Sequence, residues 1–417
     1  MNRNVDLGSR SKKATSVDHF PEEILAEILP RLSVKSVIKF TRVCTSWNSL
    51  IKSSTFADNY LSRSLLIQSD HYTKNDGRQL FLLKQIGGKY YSSTLSYYKD
   101  NPNPGFDNPN PGFGGAKFTE LLKPPTLDDI NRRYEVLRMV GTCNGLILVA
   151  SCGYAHATDP TPIIWNPSAR KYVILPRPSI NISSTRAENL PEQNYFFGYD
   201  CRTNDYKVLR IVSISRHVKI EVYSLAKGYW KSPRSSFPAY FMAVHVFENV
   251  FVNGALHWIL PRDRNLDEYL IVSFDLGTEL FHKITMPEAL RKKGSNCYVL
   301  RRGESLALIE IESTFLDNER HFVHQLHLWV MKEYGDVKSW IKLDSVGLQG
   351  TDRPRPLCFK SRDELVITMF DCNRQQTAVV VDMAKETATR QERCYSSSMD
   401  PFVESLVLLN HPNALSY

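Results

Sequence analysis

A hairpin pattern that recurs about every fifty residues constrains the fold of this chain more than any other feature. Each copy contains two short runs rich in Val, Ile, Tyr and Trp that are joined by turn residues, which is typical of paired β-strands. One aromatic or apolar position can be aligned in all copies, at Trp165, Tyr223, Phe274, Trp329 and Val381. The spacings are 58, 51, 55 and 52 residues, and in the first three copies a second aromatic follows seven residues later. This regularity indicates one structural unit that is repeated along the chain.

Each hairpin follows another apolar β-like run, so that one unit contains about four strands. The first of these preceding runs is CNGLILVAS at 143–151, and the last is DELVITMF at 363–370. About fifty residues with four strands match a blade of a kelch-type β-propeller. A twisted four-stranded sheet has two apolar faces that neighbouring blades cover, and closing the ring leaves no blade at an exposed end. The repeat therefore predicts an all-β propeller for the large part of the chain.

The expected number of blades depends on how many units the sequence contains. Five units are visible from residue 140 onward, and apolar runs within 65–95 predict a sixth. The run ESLVLLN at 404–410 has no unit of its own, so we expect it to be a strand that completes the first blade and closes the ring. Six blades are expected, and seven if residues 102–140 contain further strands.

Residues 19–51 have a different, helical pattern. Pro21 occupies the first turn of a predicted helix, where its missing N–H has no cost, and Glu22 and Glu23 complement the helix dipole. Ser33 is a suitable N-cap for a second helix. The apolar positions at helical spacing are Ile24, Leu25, Ile28, Leu29, Leu32, Val37, Phe40, Val43, Cys44, Trp47, Leu50 and Ile51. They predict about three short helices, which are too small to bury this apolar surface alone, so we expect a partner.

This helical segment resembles an F-box. The residues that carry the resemblance are Phe20-Pro21-Glu22, Ile28-Leu29, Leu32, Val43-Cys44 and Trp47. Phe20 stands where the family usually has Leu, and Ser33 stands where plant members often have Pro. The resemblance implies a small all-α domain of three helices that docks onto a SKP-type adaptor, and through it onto a cullin–RING ubiquitin ligase. The adaptor-binding residues that it implies are Phe20, Pro21, Ile24, Ile28, Leu29, Leu32, Val43 and Trp47.

The repeat region resembles the F-box-associated domain of plant F-box proteins. The resemblance rests on phrases such as WNPSARKY, NGALHWIL and SFDLGTELFHKITMP, and with the F-box it covers residues 19–410. The phrase LWVMKEYG, followed by SWIKL, and the final ESLVLLN are similar to the S-locus F-box group. The resemblance implies a non-catalytic receptor that binds one protein target for ubiquitination and degradation. Members of the S-locus group recognise a style ribonuclease in self-incompatibility.

These patterns divide the 417 residues into four parts. Residues 1–17 are polar and basic without periodicity, and we predict a disordered tail. The F-box is expected at 18–62. The propeller is expected at 63–411, with a loop insertion at 99–117 that contains the unit Asn-Pro-Asn-Pro-Gly-Phe twice. Residues 412–417 are expected to form a short tail.

Composition and charge limit the classes of partner. The net charge of +8 comes from basic residues that are scattered and not interleaved with aromatics, so nucleic-acid binding is not expected. The sequence contains no apolar run of transmembrane length and no signal-peptide core, so membrane association is not expected either. The eight cysteines have no C-x-x-C spacing and are expected to be reduced. These features favour a protein of the cytoplasm or the nucleus.

We find no sequence pattern that predicts catalysis, a cofactor or a metal. His321, His324 and His327 lie in a β-like run, where His324 would point away from the other two. Glu310 and Glu312 are predicted to be solvated charges or turn residues. An enzyme on a propeller, the second class of function, would need ligands grouped by repeat register, which this sequence lacks. The remaining alternative is a propeller that binds a partner outside any ligase.

Overall fold

The computed structural model describes most of the chain from Pro21 onward. The described residues are 21–74, 80–86, 93–99, 117–120, 137–154, 159–180, 191–214, 217–236, 250–261, 268–292, 296–316, 321–350, 352–370, 376–393 and 396–417. Phe20, the predicted tail at 1–17 and the loop insertion, apart from its first and last residues, lie outside the described residues.

The N-terminal region is helical. Helix α1 spans Glu22–Ile28 and leads into a 3-10 turn at Leu29–Arg31, α2 spans Val34–Phe40, α3 spans Thr45–Lys52 and α4 spans Ser54–Lys74. The predicted cap of the second helix is confirmed, because the Ser33 side chain accepts a hydrogen bond from the amide of Ser36 at 3.4 Å. No helix in the described part of the chain is long and apolar enough to cross a membrane.

Helix α4 corrects the prediction for residues 65–74. The run SLLIQSD was expected to be a strand of the sixth unit, but it lies inside this helix of 21 residues. Phe56 and Tyr60, one helical turn apart, are buried, and no Gly or Pro interrupts the segment. The short apolar run by itself favours a strand, but packing of one helical face against the core stabilises a helix here. The described N-terminal region has four α-helices where three were expected, and the expected domain boundary at 62/63 falls within α4.

The strands of the described chain form six antiparallel sheets, which we name A to F. Sheet A contains β1 (Leu80–Ile86), β2 (Ser93–Lys99), β3 (Lys117–Glu120) and β25 (Ser396–Phe402). Sheet B contains β4 (Leu137–Cys143), β5 (Leu146–Ser151), β7 (Ile163–Asn166), β8 (Lys171–Ile174) and β26 (Leu415–Ser416). Sheet C contains β6 (Gly153–Tyr154), β9 (Glu192–Asp200), β10 (Asp205–Ile214), β11 (His217–Ser224) and β12 (Tyr229–Lys231).

The remaining three sheets have four strands each. Sheet D contains β13 (Val250–Val252), β14 (Ala255–Pro261), β15 (Tyr269–Asp275) and β16 (Leu280–Ile284). Sheet E contains β17 (Cys297–Arg302), β18 (Ser305–Leu316), β19 (His321–Met331) and β20 (Trp340–Gly350). Sheet F contains β21 (Arg355–Phe359), β22 (Glu364–Phe370), β23 (Gln376–Asp382) and β24 (Thr387–Arg393). Two further 3-10 turns lie at Glu288–Leu290 and Val337–Ser339.

The aromatic pairs that recur in the sequence are cross-strand neighbours. The paired residues are Trp165↔Tyr172, Tyr223↔Trp230 and Phe274↔Phe281. The ring centroids of Phe274 and Phe281 are 4.8 Å apart. The spacing of seven residues is thus the register of a tight hairpin, in which directly opposed side chains pack on the same face.

The sheets are arranged around a common axis as a β-propeller. Strands of neighbouring sheets contact one another in the cyclic order β25, β4, β9, β14, β17, β21 and back to β25. Sheets B to F follow one another along the chain and form five blades, where six were expected, whereas sheet A joins β1–β3 to a strand from the C-terminal part. Apolar clusters lie between neighbouring sheets, for example Leu148 of sheet B with Tyr195 of sheet C, and Leu328 of sheet E with Leu365 of sheet F. Each blade face is thereby covered by the next sheet.

The ring is joined by a different strand from the one expected. β25 pairs with β1, with Leu80 opposite Phe402, whereas residues 404–410 contain no strand and end in a turn at 407–410. Leu406 packs among the N-terminal helices and Leu408 packs between sheets B and C. Residues two apart on a strand share one face, so this divergence excludes a strand, and Leu408 has a φ of 70°. The prediction that ESLVLLN is the closing strand is wrong because these leucines have two different cores to fill.

Candidate functional site

The N-terminal helices enclose a small apolar core. Its buried members are Leu25, Leu29, Val34, Val37, Ile51, Phe56, Tyr60 and Leu406. Tyr60 also donates a hydrogen bond from its hydroxyl to the carbonyl of Leu32 at 2.9 Å. Leu406 comes from the far C-terminal end of the chain, so this core is not made by the N-terminal segment alone.

Several apolar side chains of the same helices remain on the surface. Ile24 and Ile28 are each 46% exposed, and their spacing of one helical turn places them on the same face of α1. Val43, in the turn between α2 and α3, is 47% exposed, and Pro21 is exposed as well. Large apolar side chains that stay accessible on a small helical module are suited to bury against a protein partner.

The eight residues predicted to bind an adaptor are therefore not equivalent. Leu32 and Trp47 are partly buried against the apolar core, and the Trp47 ring meets the edge of Phe40 with a centroid distance of 5.5 Å. Leu29 is only 2% exposed and packs inside the core. Its side chain stabilises the helices and is not accessible to a partner in this structure. The accessible set within the described residues is Pro21, Ile24, Ile28 and Val43, with the edges of Leu32 and Trp47.

The C-terminal segment 403–417, which we call the clasp, joins the helices to the propeller. Leu406 inserts among the helices, while the side-chain amide of Asn166 in sheet B donates to the carbonyl oxygens of Ser405 at 3.0 Å and Val407 at 2.7 Å. At the end of the clasp, the indole of Trp165 donates to the hydroxyl of Tyr417 at 2.7 Å. The sequence predicted a tail at 412–417, whereas Leu415–Ser416 adds a short strand to sheet B.

Helix α4 provides a second connection between the helices and the propeller. Near its start it packs in the helical core through Phe56 and Tyr60. Near its end the amide of Gln68 donates to the carbonyl of Phe402 at 3.2 Å, and Tyr72 packs against the apolar cluster between sheets E and F. The helix and the clasp together hold the N-terminal module against the propeller at separate places.

The N-terminal helices are attached to one face of the propeller, which distinguishes it from the opposite face. The turn at Gly145 lies under the clasp and the turn at Gly303 lies beside Tyr72, so turns between the first and second strands of a blade face the helices. Because antiparallel strands alternate in direction, the end of the second strand and the start of the third strand of a blade lie on the opposite face. There β18 and β19 run to Leu316 and His321, and Phe315 is 56% exposed beside Phe322, with ring centroids 5.1 Å apart. The described strand ends on this face therefore lie away from the F-box helices.

His324 and His327 on β19 lie on opposite faces of sheet E, as the sequence predicts. His324 is buried and its Nδ1 lies 2.8 Å from the Ser313 hydroxyl, whereas the Nδ1 of His327 lies 2.7 Å from the Ser345 hydroxyl. The side chain of His321 is outside the described residues. Glu310 corrects the sequence prediction, because it is 3% exposed and not a solvated charge.

Charged groups are also buried between the blades. Arg210 and Glu221 are each 2% exposed and form an ion pair of 2.6 Å, and Glu221 also accepts hydrogen bonds from the amides of Ser179 and Ile180. Burial lowers the pKa of His257 to about 4, and its Nε2 lies 2.7 Å from the hydroxyl of Tyr334. These groups are satisfied by neighbouring elements and fix how the blades pack.

Comparison with known families agrees with both parts of the structure. The F-box domain family matches residues 17–59. The F-box associated beta propeller domain family matches residues 125–398. The first match covers the helical module and the second covers sheets B to F.

Individual relatives match this chain along most of their length. An F-box/kelch-repeat protein of Arabidopsis thaliana is 28% identical over 370 residues, which cover 87% of this chain and 88% of the relative. F-box protein CPR1 of Arabidopsis thaliana is 26% identical over 422 residues, which cover 93% of this chain and 88% of the relative. Among solved structures, TolB from Acinetobacter baumannii gives a TM-score of 0.44 at 11% identity, covering 84% of this chain and 73% of that one. The last likeness is too weak to support an argument.

The match to the F-box associated beta propeller domain family spans more than half of the chain, and the F-box match precedes it. This chain belongs to the plant F-box proteins that carry an F-box-associated β-propeller domain.

Proposed function

We propose that this protein is the substrate-recognition subunit of a SKP–cullin–F-box ubiquitin ligase. The observation that carries the proposal is the accessible apolar surface of the F-box, in which Ile24, Ile28 and Val43 are nearly half exposed. An F-box domain implies a SKP-type adaptor as partner, and these side chains are the ones available to contact it. The adaptor would connect the chain to a cullin–RING ligase.

In this proposal the propeller binds a protein target for ubiquitination and degradation. The ends of β18 and β19 at Leu316 and His321 lie on the propeller face opposite the F-box, so a target bound on that face would leave the adaptor surface accessible. The attachment of the F-box through α4 and the clasp supports a defined distance between the two partners, and positioning of a target lysine is the contribution that a non-catalytic receptor makes to transfer. The complex would act in the cytoplasm or the nucleus.

We further propose that sheet A is a sixth blade. This rests on the pairing of β1 with β25 and on the contacts of β25 with β4 and β21, the inner strands of sheets B and F. Closure by strands from both ends of the domain would then keep the ring together.

For the target, we propose a style ribonuclease, on the strength of the similarity of LWVMKEYG and ESLVLLN to the S-locus group. The target-binding surface would be on the face opposite the F-box. Expression confined to pollen, together with adaptor-dependent ubiquitination of a stylar ribonuclease, would support this class of target. Broad expression in leaves without ribonuclease binding would exclude it and leave the ligase function untouched.

The test of the ligase function is reconstitution from purified components. The full chain is expected to co-purify with a SKP-type adaptor and, with the cullin–RING module and a ubiquitin-conjugating enzyme, to support ubiquitin transfer to a bound target. A correctly folded chain that fails to bind any of several plant adaptors would refute the proposal. In that case the chain would bind its partner outside a ligase.

A further inference from the structure

Four strands of sheet E place four reactive side chains in one row. The directly opposed pairs are Cys297 with Glu310, Glu310 with His327, and His327 with Ser345. Opposed residues of antiparallel strands project from the same face of the sheet. Glu312, two residues further along β18, projects from that face as well. A thiol, two carboxylates, an imidazole and a hydroxyl are thus neighbours on the side of sheet E that faces sheet D.

Three of these side chains converge. One ligand atom from each of Glu310, Glu312 and His327 lies within 4.8 Å of the other two. Nε2 of His327 is 3.6 Å from Oε2 of Glu312. Two atoms that both bind a zinc ion at about 2.0–2.2 Å lie within about 4.4 Å of each other, so the pair of His327 and Glu312 needs no rearrangement. The ligand atom of Glu310 lies within 4.8 Å of both.

The orientation of His327 is set from the other side of the ring. Its Nδ1 lies 2.7 Å from the hydroxyl of Ser345. When Nδ1 donates its proton to that hydroxyl, Nε2 carries the lone pair and faces the two carboxylates. A ligating histidine is typically held in this way by a hydrogen bond to its second nitrogen. The hydroxyl therefore prepares His327 as a ligand.

The surroundings of the three groups combine burial with an entrance. Glu310 is 3% exposed beside an apolar cluster that includes Cys297, and the indole of Trp329 donates to its Oε2 at 3.4 Å. The side chain of Glu312 is 47% exposed, so the group opens to solvent on that side. A buried carboxylate next to a second one is stabilised by a nearby positive charge.

We propose that Glu310, Glu312 and His327 bind one divalent transition-metal ion of the Zn²⁺ class. Imidazole nitrogen together with carboxylate oxygen suits this class of ion, whereas Ca²⁺ and Mg²⁺ prefer oxygen ligands alone. Three protein ligands leave a coordination position for water or for a side chain of a bound partner. Because Glu312 and His327 lie on β18 and β19, the ion would also hold together these two strands, whose ends at Leu316 and His321 lie on the face opposite the F-box. The competing explanation is an ion pair between protonated His327 and Glu312 without any metal.

The experiment measures Zn²⁺ binding to the full chain without a histidine tag, after dialysis against a chelator, by competition with a chromogenic zinc indicator. The wild type should bind one equivalent of Zn²⁺, and Zn²⁺ should raise its melting temperature. His327→Gln and Glu312→Gln should each weaken binding by about 100-fold, the upper end of the range known for outer-shell changes. Ser345→Ala should weaken it by about tenfold, because only the orientation of the ring is lost.

A histidine elsewhere provides the matched control. His282 on β16 is exposed, and His282→Gln should leave Zn²⁺ affinity and the zinc-dependent melting shift unchanged. Glu312→Gln keeps the experiment decisive if His327→Gln misfolds, since the Glu312 side chain is half exposed. A wild-type chain that binds no Zn²⁺, or folded variants of His327 and Glu312 that bind it as tightly as the wild type, would overturn the proposal in favour of the ion pair.

Discussion

Asn166 in β7 donates a hydrogen bond from its side-chain amide to the carbonyl of Ser405, 239 positions away in the chain, at 3.0 Å. The same amide reaches the hydroxyl of Ser405 at 3.2 Å and the carbonyl of Val407 at 2.7 Å. Asn166 is fully buried, so water cannot replace its side-chain amide as the hydrogen-bond donor to these acceptors on the clasp. One side chain thereby ties sheet B to the segment that carries Leu406 into the F-box.

Replacement of Asn166 by Leu should loosen the clasp. The buried acceptors lose their donor, and the free energy of unfolding should fall by about 3 kcal/mol. Hydrogen exchange should accelerate at the amides of 405–409 more than in sheets D and E. The exposed Asn410 is the matched control, because Asn410→Leu removes an amide from the same segment without removing a buried donor. Equal stability of the two variants would contradict this role of Asn166.

The accessible F-box side chains should determine adaptor affinity. Ile28→Ala combined with Val43→Ala should weaken adaptor binding by at least about 30-fold, since truncating one central apolar contact costs about 2 kcal/mol or more. The measurement is titration of a SKP-type adaptor by calorimetry. Leu66 on α4 is 71% exposed and lies outside the proposed surface, so Leu66→Ala should bind normally. Unchanged affinity of the double variant would place the adaptor on another surface.

Leu29 should behave differently from its neighbours on the F-box. Leu29→Ala should lower the free energy of unfolding of the helical module by about 3 kcal/mol, because it leaves a cavity in a core that Leu406 helps to fill. The measurement is chemical denaturation monitored by the far-ultraviolet circular-dichroism signal of the helices. A variant of unchanged stability that nevertheless lost adaptor binding would show that Leu29 acts at the interface.

Stability should fall as the pH drops from about 6.5 towards 4. Burial lowers the pKa of His257 to about 4 in the folded state, whereas the unfolded chain binds a proton near 6.5. The unfolded state therefore holds more protons in this window and is favoured as pH falls, by up to about 3 kcal/mol. Urea titrations at several pH values should show a shallower dependence for His257→Gln, which does not titrate there. Equal pH dependence of the two proteins would assign the effect to other groups.

The sequence was informative where local periodicity and turn chemistry decide the structure. The helices from Glu22 to Lys52 follow from apolar spacing and the Ser33 cap, and the blade hairpins follow from aromatic pairs such as Phe274 and Phe281. In both cases the interacting residues are a few positions apart, so their preference is visible in a short window.

Other features were decided only by tertiary structure. Residues 64–70 are helical because Phe56 and Tyr60 pack in the F-box core. Residues 404–410 form no strand because Leu406 and Leu408 enter different cores.

The burial and the grouping of the candidate site residues also depend on the tertiary structure. Leu29 is buried while Ile28 beside it is exposed, although the helical pattern treats both as apolar contacts. The row from Cys297 to Ser345 exists only through strand register across sheet E. The sequence by itself determined the two modules and the repeat, because those depend on local pattern. The joining of the modules and the grouping of chemical side chains depend on contacts between distant segments, whose energy no local pattern expresses.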